Sequence, residues 1–287
     1  GLDFTQQYIL KLGIIFLGIR LSFADFLKFG SIAIPLIIVC ILGVLILIKL
    51  LIKRVPISSK MSYLIAIGTS VCGATAIVAT APVINAKKSE VAYAIANITL
   101  FGVIAMLIYP YFAEWYFDNE ALNAGLFLGT SIHETSQVAA AGLIYDQQFN
   151  SPETLNVATV TKLIRNTFLV ILIPLFAFLY NRGDLKGQNY SILSIFPYFV
   201  LGFIGMIIVR NLGDQFFTSE SNNYVIWINL IGYLKILATV FLTMAMAAVG
   251  ISINLSELKS MGYKPFVVGL IAAITVGFIS LIYIETL

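Results

Sequence analysis

Two stretches of this sequence place hydroxyls, a histidine and a carboxylate where an apolar helix would otherwise run. Residues 68–79 read GTSVCGATAIVA and residues 129–140 read GTSIHETSQVAA. Glycine and clustered hydroxyls weaken a continuous helix. A helix that restarts at membrane depth points unpaired N–H groups and a partial positive charge into the gap. Such an end suits an anion. Thr69, Ser70, Gly73, Thr130, Ser131, Thr135 and Gln137 are the candidates to line that gap, with Thr75 and Ser136 beside them. For any one hydroxyl the plainer role is a bond to its own i−4 carbonyl. The duplication of the cluster favours a site.

His133 and Glu134 add ionisable chemistry to the second stretch. Ionisable groups at membrane depth are expensive and point to function by default. Glu134 is a candidate to carry a coupling proton or hold a cation, and His133 to titrate near neutral pH or meet substrate. The alternative is that both face a vestibule near the surface. The pair is not a zinc-protease motif, because the position four after His133 is Gln137. Downstream, Lys162, Arg165 and Asn166 share one helical face by their spacing. Two cations there could clamp an anion, Arg165 with a bidentate fork and Lys162 as a point charge. The structural alternative pairs them with Glu134 or with carbonyls left free at the interrupted segments. Asn97, with Thr99, occupies the corresponding helix of the first repeat and joins the coupling-ion candidates.

Long apolar elements must position these residues. The chain has 287 residues, 60% hydrophobic and 11% charged, with a mean hydropathy of +0.97. A soluble domain cannot hide that much apolar surface, whereas runs of about 20 apolar residues span a bilayer. We expect an all-α integral membrane bundle with nine segments, at 6–23, 31–52, 61–84, 90–112, 121–145, 154–180, 191–210, 224–250 and 263–285. Segments 61–84 and 121–145 are the discontinuous or re-entrant ones. A core of about 61–180 and a scaffold of about 1–60 and 190–287 follow. The net charge of +3 lies mostly in short loops and gives no reason for a nucleic-acid partner. One histidine and two cysteines, Cys40 and Cys72, argue against a metal site or a disulfide framework. Lys235, Arg20 and Lys28 are read as interfacial.

The two Gly-Thr-Ser stretches align without gaps, 61 residues apart. A weaker match relates Gly18–Gly30 to Gly250–Gly262, with Asp25 against Glu257. Paired repeats with broken segments mark secondary transporters. Lysine and arginine flank segment 61–84 on both sides, at Lys49, Lys53, Arg54, Lys60, Lys87 and Lys88. Acidic residues flank segment 121–145, at Glu114, Asp118, Glu120, Asp146 and Glu153. Positive charge accumulates on the cytoplasmic side, so the pair is expected to be inverted, one segment entering from each face. The rival is nine ordinary spans.

The runs GTSVCGATAIVATAPVI (68–84), EVAYAIANITLFG (90–102), GTSIHETSQVAAAG (129–142) and ATVTKLIRN (158–166) resemble the YeiH-type family labelled as sulfate exporters. So do KLGIIFLGIRLS (11–22) and AMAAVGISINLSEL (245–258). The resemblance implies a bacterial inner-membrane, multi-pass protein, related in fold to cation/proton antiporters and anion transporters. It implies a scaffold, a mobile core with two discontinuous helices, and about two further helices ahead of the Lys11 segment, consistent with an opening on Gly1 rather than Met. In the fold relatives the discontinuous helices span fully and cross. The aspartate that usually follows the family's histidine is here Glu134.

The first functional expectation is therefore a secondary transporter of a small anion, a sulfate-like oxyanion or an organosulfonate, working by elevator-like alternating access. The substrate site comprises Thr69, Ser70, Gly73, Thr130, Ser131, His133, Thr135, Gln137, Lys162, Arg165 and Asn166. Glu134, His133 and Asn97 are the coupling-ion candidates, for H⁺ or Na⁺, with no other cofactor. A homodimer on the scaffold is expected by fold analogy. The alternatives are a cation/proton antiporter exchanging at Glu134 and an ion channel. An enzyme is the least expected.

Overall fold

A computed structural model describes residues 2–20, 23–52, 54–81, 84–180, 199–217, 223–251 and 262–287. Every regular element among them is helical. In chain order they are α1 (Leu2–Phe4), a π-helical stretch Thr5–Ile9, α2 (Leu10–Leu17) and a 3-10 turn Gly18–Arg20. Then come α3 (Phe23–Leu51), α4 (Ser59–Ser70), α5 (Ala74–Thr80), α6 (Lys88–Phe117), α7 (Ala121–Ser131) and α8 (Thr135–Phe149). The chain continues through α9 (Pro152–Thr167), α10 (Leu169–Tyr180), α11 (Phe199–Phe216), α12 (Tyr224–Ile251) and α13 (Lys264–Ile284). Among the described residues, five stretches are long and apolar enough to cross a membrane: Phe29–Leu51, Ser89–Phe117, Pro152–Ile173, Tyr224–Phe241 and Lys264–Ile284.

Apolar stripes left uncovered on these helices suit lipid and not water. Ile34, Ile38, Leu42, Ile46 and Leu50 of α3 are exposed at a spacing of four. Leu270, Ile274, Phe278 and Ile282 of α13 repeat the pattern. Contiguous apolar surface of this kind is a liability on a soluble monomer. The chain forms an all-α membrane protein.

The interruptions fall where the repeat places them. α4 ends at Ser70 and α7 at Ser131, while α5 starts at Ala74 and α8 at Thr135. Both gaps are therefore three residues long, 71–73 and 132–134, and they occupy equivalent positions of the duplicated stretch. In the first, Gly73 adopts φ +64°, a conformation open to glycine. In the second, Ile132 and Glu134 are extended.

Several expected boundaries move. Segment 90–112 lengthens to α6, whose final turn carries Glu114 and which ends on left-handed Asp118. Pro110 lies inside it without ending it. The acidic loop expected before segment 121–145 shrinks accordingly. Segment 154–180 divides at Phe168 into α9 and α10. Segment 191–210 begins, in the described residues, at Phe199 and runs on to Phe216. Most of the Gly250–Gly262 match lies outside the described residues.

The chain forms two compact units. One comprises residues 1–31 and 197–252. Its core joins Ile19, Trp227 and Ile231, with Met206, Phe217 and Leu234 packed on them. There the Trp227 indole N–H donates to Asp214 at 3.0 Å, and Arg210 pairs with the same carboxylate at 2.6 Å. The other unit comprises residues 32–196 and 253–287. It contains both interruptions, most of α3 and also α13, which packs against α4, α6 and α7.

Candidate functional site

The site is built around α9. Gly125 and Gly129 on α7 have no room for a side chain: a Cβ on Gly129 would lie 2.7 Å from the Ala158 carbonyl oxygen and from Thr161 Cβ. Gly142 on α8 abuts Leu155 in the same way, at 2.9 Å from its Cα. Small residues let helix backbones approach closely in a membrane. α9 is thereby held against both α7 and α8, and its polar residues are carried to the two gaps.

Lys162 and Arg165 are completely buried. The Lys162 ammonium donates to the carbonyl oxygens of Val71 at 2.6 Å and Ile132 at 2.9 Å, and also to that of His133. Arg165 Nε donates to Ser70 O at 2.7 Å. Its Nη1 and Nη2 donate to the carbonyls of Thr130 and Thr69. Each cation therefore bonds carbonyls from both interruptions. These oxygens are what an interrupted helix leaves unpaired at its C-terminal end, which carries a partial negative charge. Cations belong there. An ammonium has three N–H donors, and all three of Lys162's end on carbonyls. The expected anion clamp and the expected carbonyl pairing were both open; the direct bonds go to carbonyls, not to Glu134.

Glu134 treats the opposite ends. Its Oε1 accepts from the Ala74 N–H at 2.8 Å, across from the other interruption. Its carboxylate also accepts from the Gln137 N–H in a capping box on α8. Gln137 returns a bond from the Glu134 N–H at 3.3 Å and donates to Thr99 O of α6 at 3.1 Å. Gly73 makes this possible twice over, because a Cβ there would sit 2.6 Å from Glu134 Oε1. Gly102 leaves the corresponding space for Gln137.

The hydroxyls divide into two groups. Thr130 Oγ1 donates to Leu126 O at 2.7 Å and meets Ser280 Oγ of α13 at 2.6 Å. Ser131 bonds the Phe127 carbonyl. These follow the plainer i−4 pattern. Among the described residues, the buried hydroxyls of Thr69, Ser70 and Ser136 meet no partner. Nor, among them, does either ring nitrogen of His133, 1% exposed, meet a partner at hydrogen-bonding geometry. Asn166 donates to Thr135 Oγ1 at 3.0 Å and leaves its Oδ1 free. Asn97 donates to Pro265 O at 2.9 Å, which ties α6 to α13. Thr75 is exposed. Spacing alone did not single out Thr161, buried with an unpartnered hydroxyl, or Ser280. For Ser280 a lone hydroxyl in an apolar run was the only signal, while Thr161 stood between Thr159 and Lys162 in a polar stretch.

A cavity of about 410 Å³ opens at the other end of α4, lined by Ser58, Met61, Lys87, Glu90, Lys264 and neighbours. α4 runs from that cavity to the interruption at Ser70, roughly 18 Å at the helical rise per residue.

Residues 1–269 match the family described as Conserved hypothetical protein 698. The chain is 35% identical over 287 residues to a UPF0324 membrane protein of Fusobacterium nucleatum, covering 98% of this chain and 82% of that one. It is 35% identical over 273 residues to one from Streptococcus agalactiae, covering 94% and 77%. It is 31% identical over 301 residues to one from Clostridium tetani, covering 100% and 82%. No solved structure matches. Matched along nearly its whole length and through both interrupted stretches, the chain belongs to the YeiH family of UPF0324 membrane proteins.

Proposed function

We propose that this protein is a secondary transporter that carries a small anion across the bacterial inner membrane, binding it where the two interruptions meet. The carrying observation is a charge imbalance. Among the described residues, Lys162 and Arg165 are buried against a single carboxylate, Glu134. The four helix ends beside them offset one another, two negative C-termini against two positive N-termini. An uncompensated positive charge at membrane depth is costly, and an anion removes it. Buried hydroxyls of Thr69, Ser70 and Ser136 and the His133 ring supply unoccupied polar atoms for its oxygens. Lys162 and Arg165 act in this reading through their field, with their N–H bonds engaged elsewhere. Gly73, Thr130, Ser131, Thr135 and Gln137 hold the backbone and side chains around the site.

A sulfate-like oxyanion or an organosulfonate fits the donor set. The cavity beside Lys87 and Lys264 serves as an approach, α4 leading from it to the interruption. The core moves as an elevator against the scaffold, H⁺ or Na⁺ couples the cycle, and the scaffold pairs two copies. A cation/proton antiporter is less favoured, because the Glu134 oxygens accept from main-chain N–H groups and two cations stand beside them.

The test is thermal stability of the detergent-purified protein against sulfate, thiosulfate, methanesulfonate, chloride and Na⁺. A ligand of the folded state raises the melting temperature by mass action. A rise with one oxyanion, absent in Ser70→Ala/Ser136→Ala, supports the proposal. A rise with Na⁺ alone overturns it. Saturable counterflow in proteoliposomes then separates a carrier from a channel.

A further inference from the structure

Resting on that reading, we propose that the Glu134 carboxylate is a tethered occupant of the anion site, so that the transported anion enters only as Glu134 takes up a proton. The carboxylate is already bound as an anion would be. It accepts one N–H from the first turn of α8, at Gln137, and another from Ala74 on the opposite interruption at 2.8 Å. Unpartnered atoms adjoin it on both sides in sequence: the His133 ring nitrogens just before, and Ser136 Oγ in the same first turn. His133 is 1% and Ser136 0% exposed. Within 129–139 every residue is buried except Glu134, which is half-buried.

The charges around it close the argument. Lys162 faces it from α9 and the Cys72 thiol from the first interruption, while Arg165 of α9 bonds the Ser70, Thr69 and Thr130 carbonyls before the same two gaps and His133 precedes it in sequence. Glu90 and Glu114 of α6 lie near that helix's two ends. A second anion beside an ionised Glu134 meets like charge in a region of low dielectric. Transfer of one proton from water to the carboxylate makes it a neutral carboxyl. The hold on the two main-chain N–H groups weakens, because a neutral carboxyl accepts less strongly than a carboxylate, and the full positive charge of Lys162 and Arg165 is left for the incoming anion. A dianion with one proton then leaves the site neutral.

Binding and proton uptake are thus linked, and the sign follows. Affinity is greatest with Glu134 protonated and falls by about tenfold per pH unit above its pKa. The test uses sulfate and methanesulfonate, which stay ionised across the working range. Calorimetry on the wild-type protein in two buffers of different ionisation heat measures protons taken up per anion. The expected result is close to one proton for whichever probe binds, with affinity rising as pH falls. In Glu134→Gln the expected result is no proton uptake and a pH-independent affinity near the wild type's low-pH limit. Wild-type binding with no proton uptake and flat pH dependence overturns this inference and leaves the anion reading standing. No binding of either probe to wild type or variant overturns both. The wild-type calorimetry decides the matter even where the variant does not fold.

Discussion

Glu134 on the second interruption accepts a hydrogen bond from the main-chain N–H of Ala74 on the first, at 2.8 Å. One carboxylate therefore caps the helix that follows each interruption, as Lys162 and Arg165 cap the two that precede them. Four helix ends left bare by the sequence are satisfied by three side chains. Without them, buried main-chain groups would stand unpaired, at a cost of about 1–3 kcal/mol each.

Arg165 should not tolerate lysine. A compact ammonium cannot reach the carbonyls of Thr69, Ser70 and Thr130 together, as the guanidinium does. Arg165→Lys is expected to lose about 3 kcal/mol of stability through the acceptors it abandons. Thermal unfolding in detergent reads this directly, and an unchanged melting temperature would contradict the carbonyl role.

Gly73→Ala carries two penalties that can be separated. The left-handed φ of +64° costs an alanine about 1 kcal/mol or more, and its methyl also strikes Glu134. Combining it with Glu134→Ala removes the second penalty only. A double-mutant cycle should therefore show favourable coupling of about 1 kcal/mol. Additive losses would mean that the two residues do not share this space.

Glycines within helices differ in a way stability can read. Gly102→Ala displaces Gln137 and its bond to Thr99, so it should destabilise the protein. Gly205→Ala meets nothing within 4 Å and should be neutral or slightly stabilising, by up to about 1 kcal/mol from helix propensity. Equal effects at the two positions would argue against the close approach of α6 and α8.

The hydroxyls offer the sharpest division between binding and folding. Ser70→Ala and Ser136→Ala remove groups with no internal partner, so melting temperature without ligand should hold while stabilisation by the anion drops. Thr130→Ala breaks bonds to Leu126 and Ser280 and should lower the melting temperature by the equivalent of about 1 kcal/mol. Ser70→Ala and Ser136→Ala that both keep full anion response would remove these hydroxyls from the site.

Much of the architecture was legible because it is written locally. The duplicated Gly-Thr-Ser stretches located both interruptions, since helix-weakening residues act within a turn of themselves. The spacing of Lys162, Arg165 and Asn166 gave their common face for the same reason. What lay across from that face was not legible: periodicity orients a side chain on its own helix and says nothing of the neighbour. The carbonyls of Ser70 and Val71 lie more than ninety residues from their donors in sequence. The reach of Glu134 to Ala74 was hidden likewise, for nothing in either stretch tells which carboxylate serves which helix. The end of α6 was misplaced because Glu114 reads as loop charge, whereas its carboxylate accepts from Tyr145 at 2.6 Å. The division at Phe168 falls where the polar end of α9 passes into the apolar α10, a change that does not by itself mark a helix break.

Lys162 and Arg165 each grip both interruptions at once, and that bears on what can move. Prising the two gaps apart would strip several buried oxygens of donors in a single step. The gaps and α9 therefore behave as one riveted piece. In the transport cycle proposed above, access from either side must come from bending or sliding around that piece, and an anion held there would travel with it.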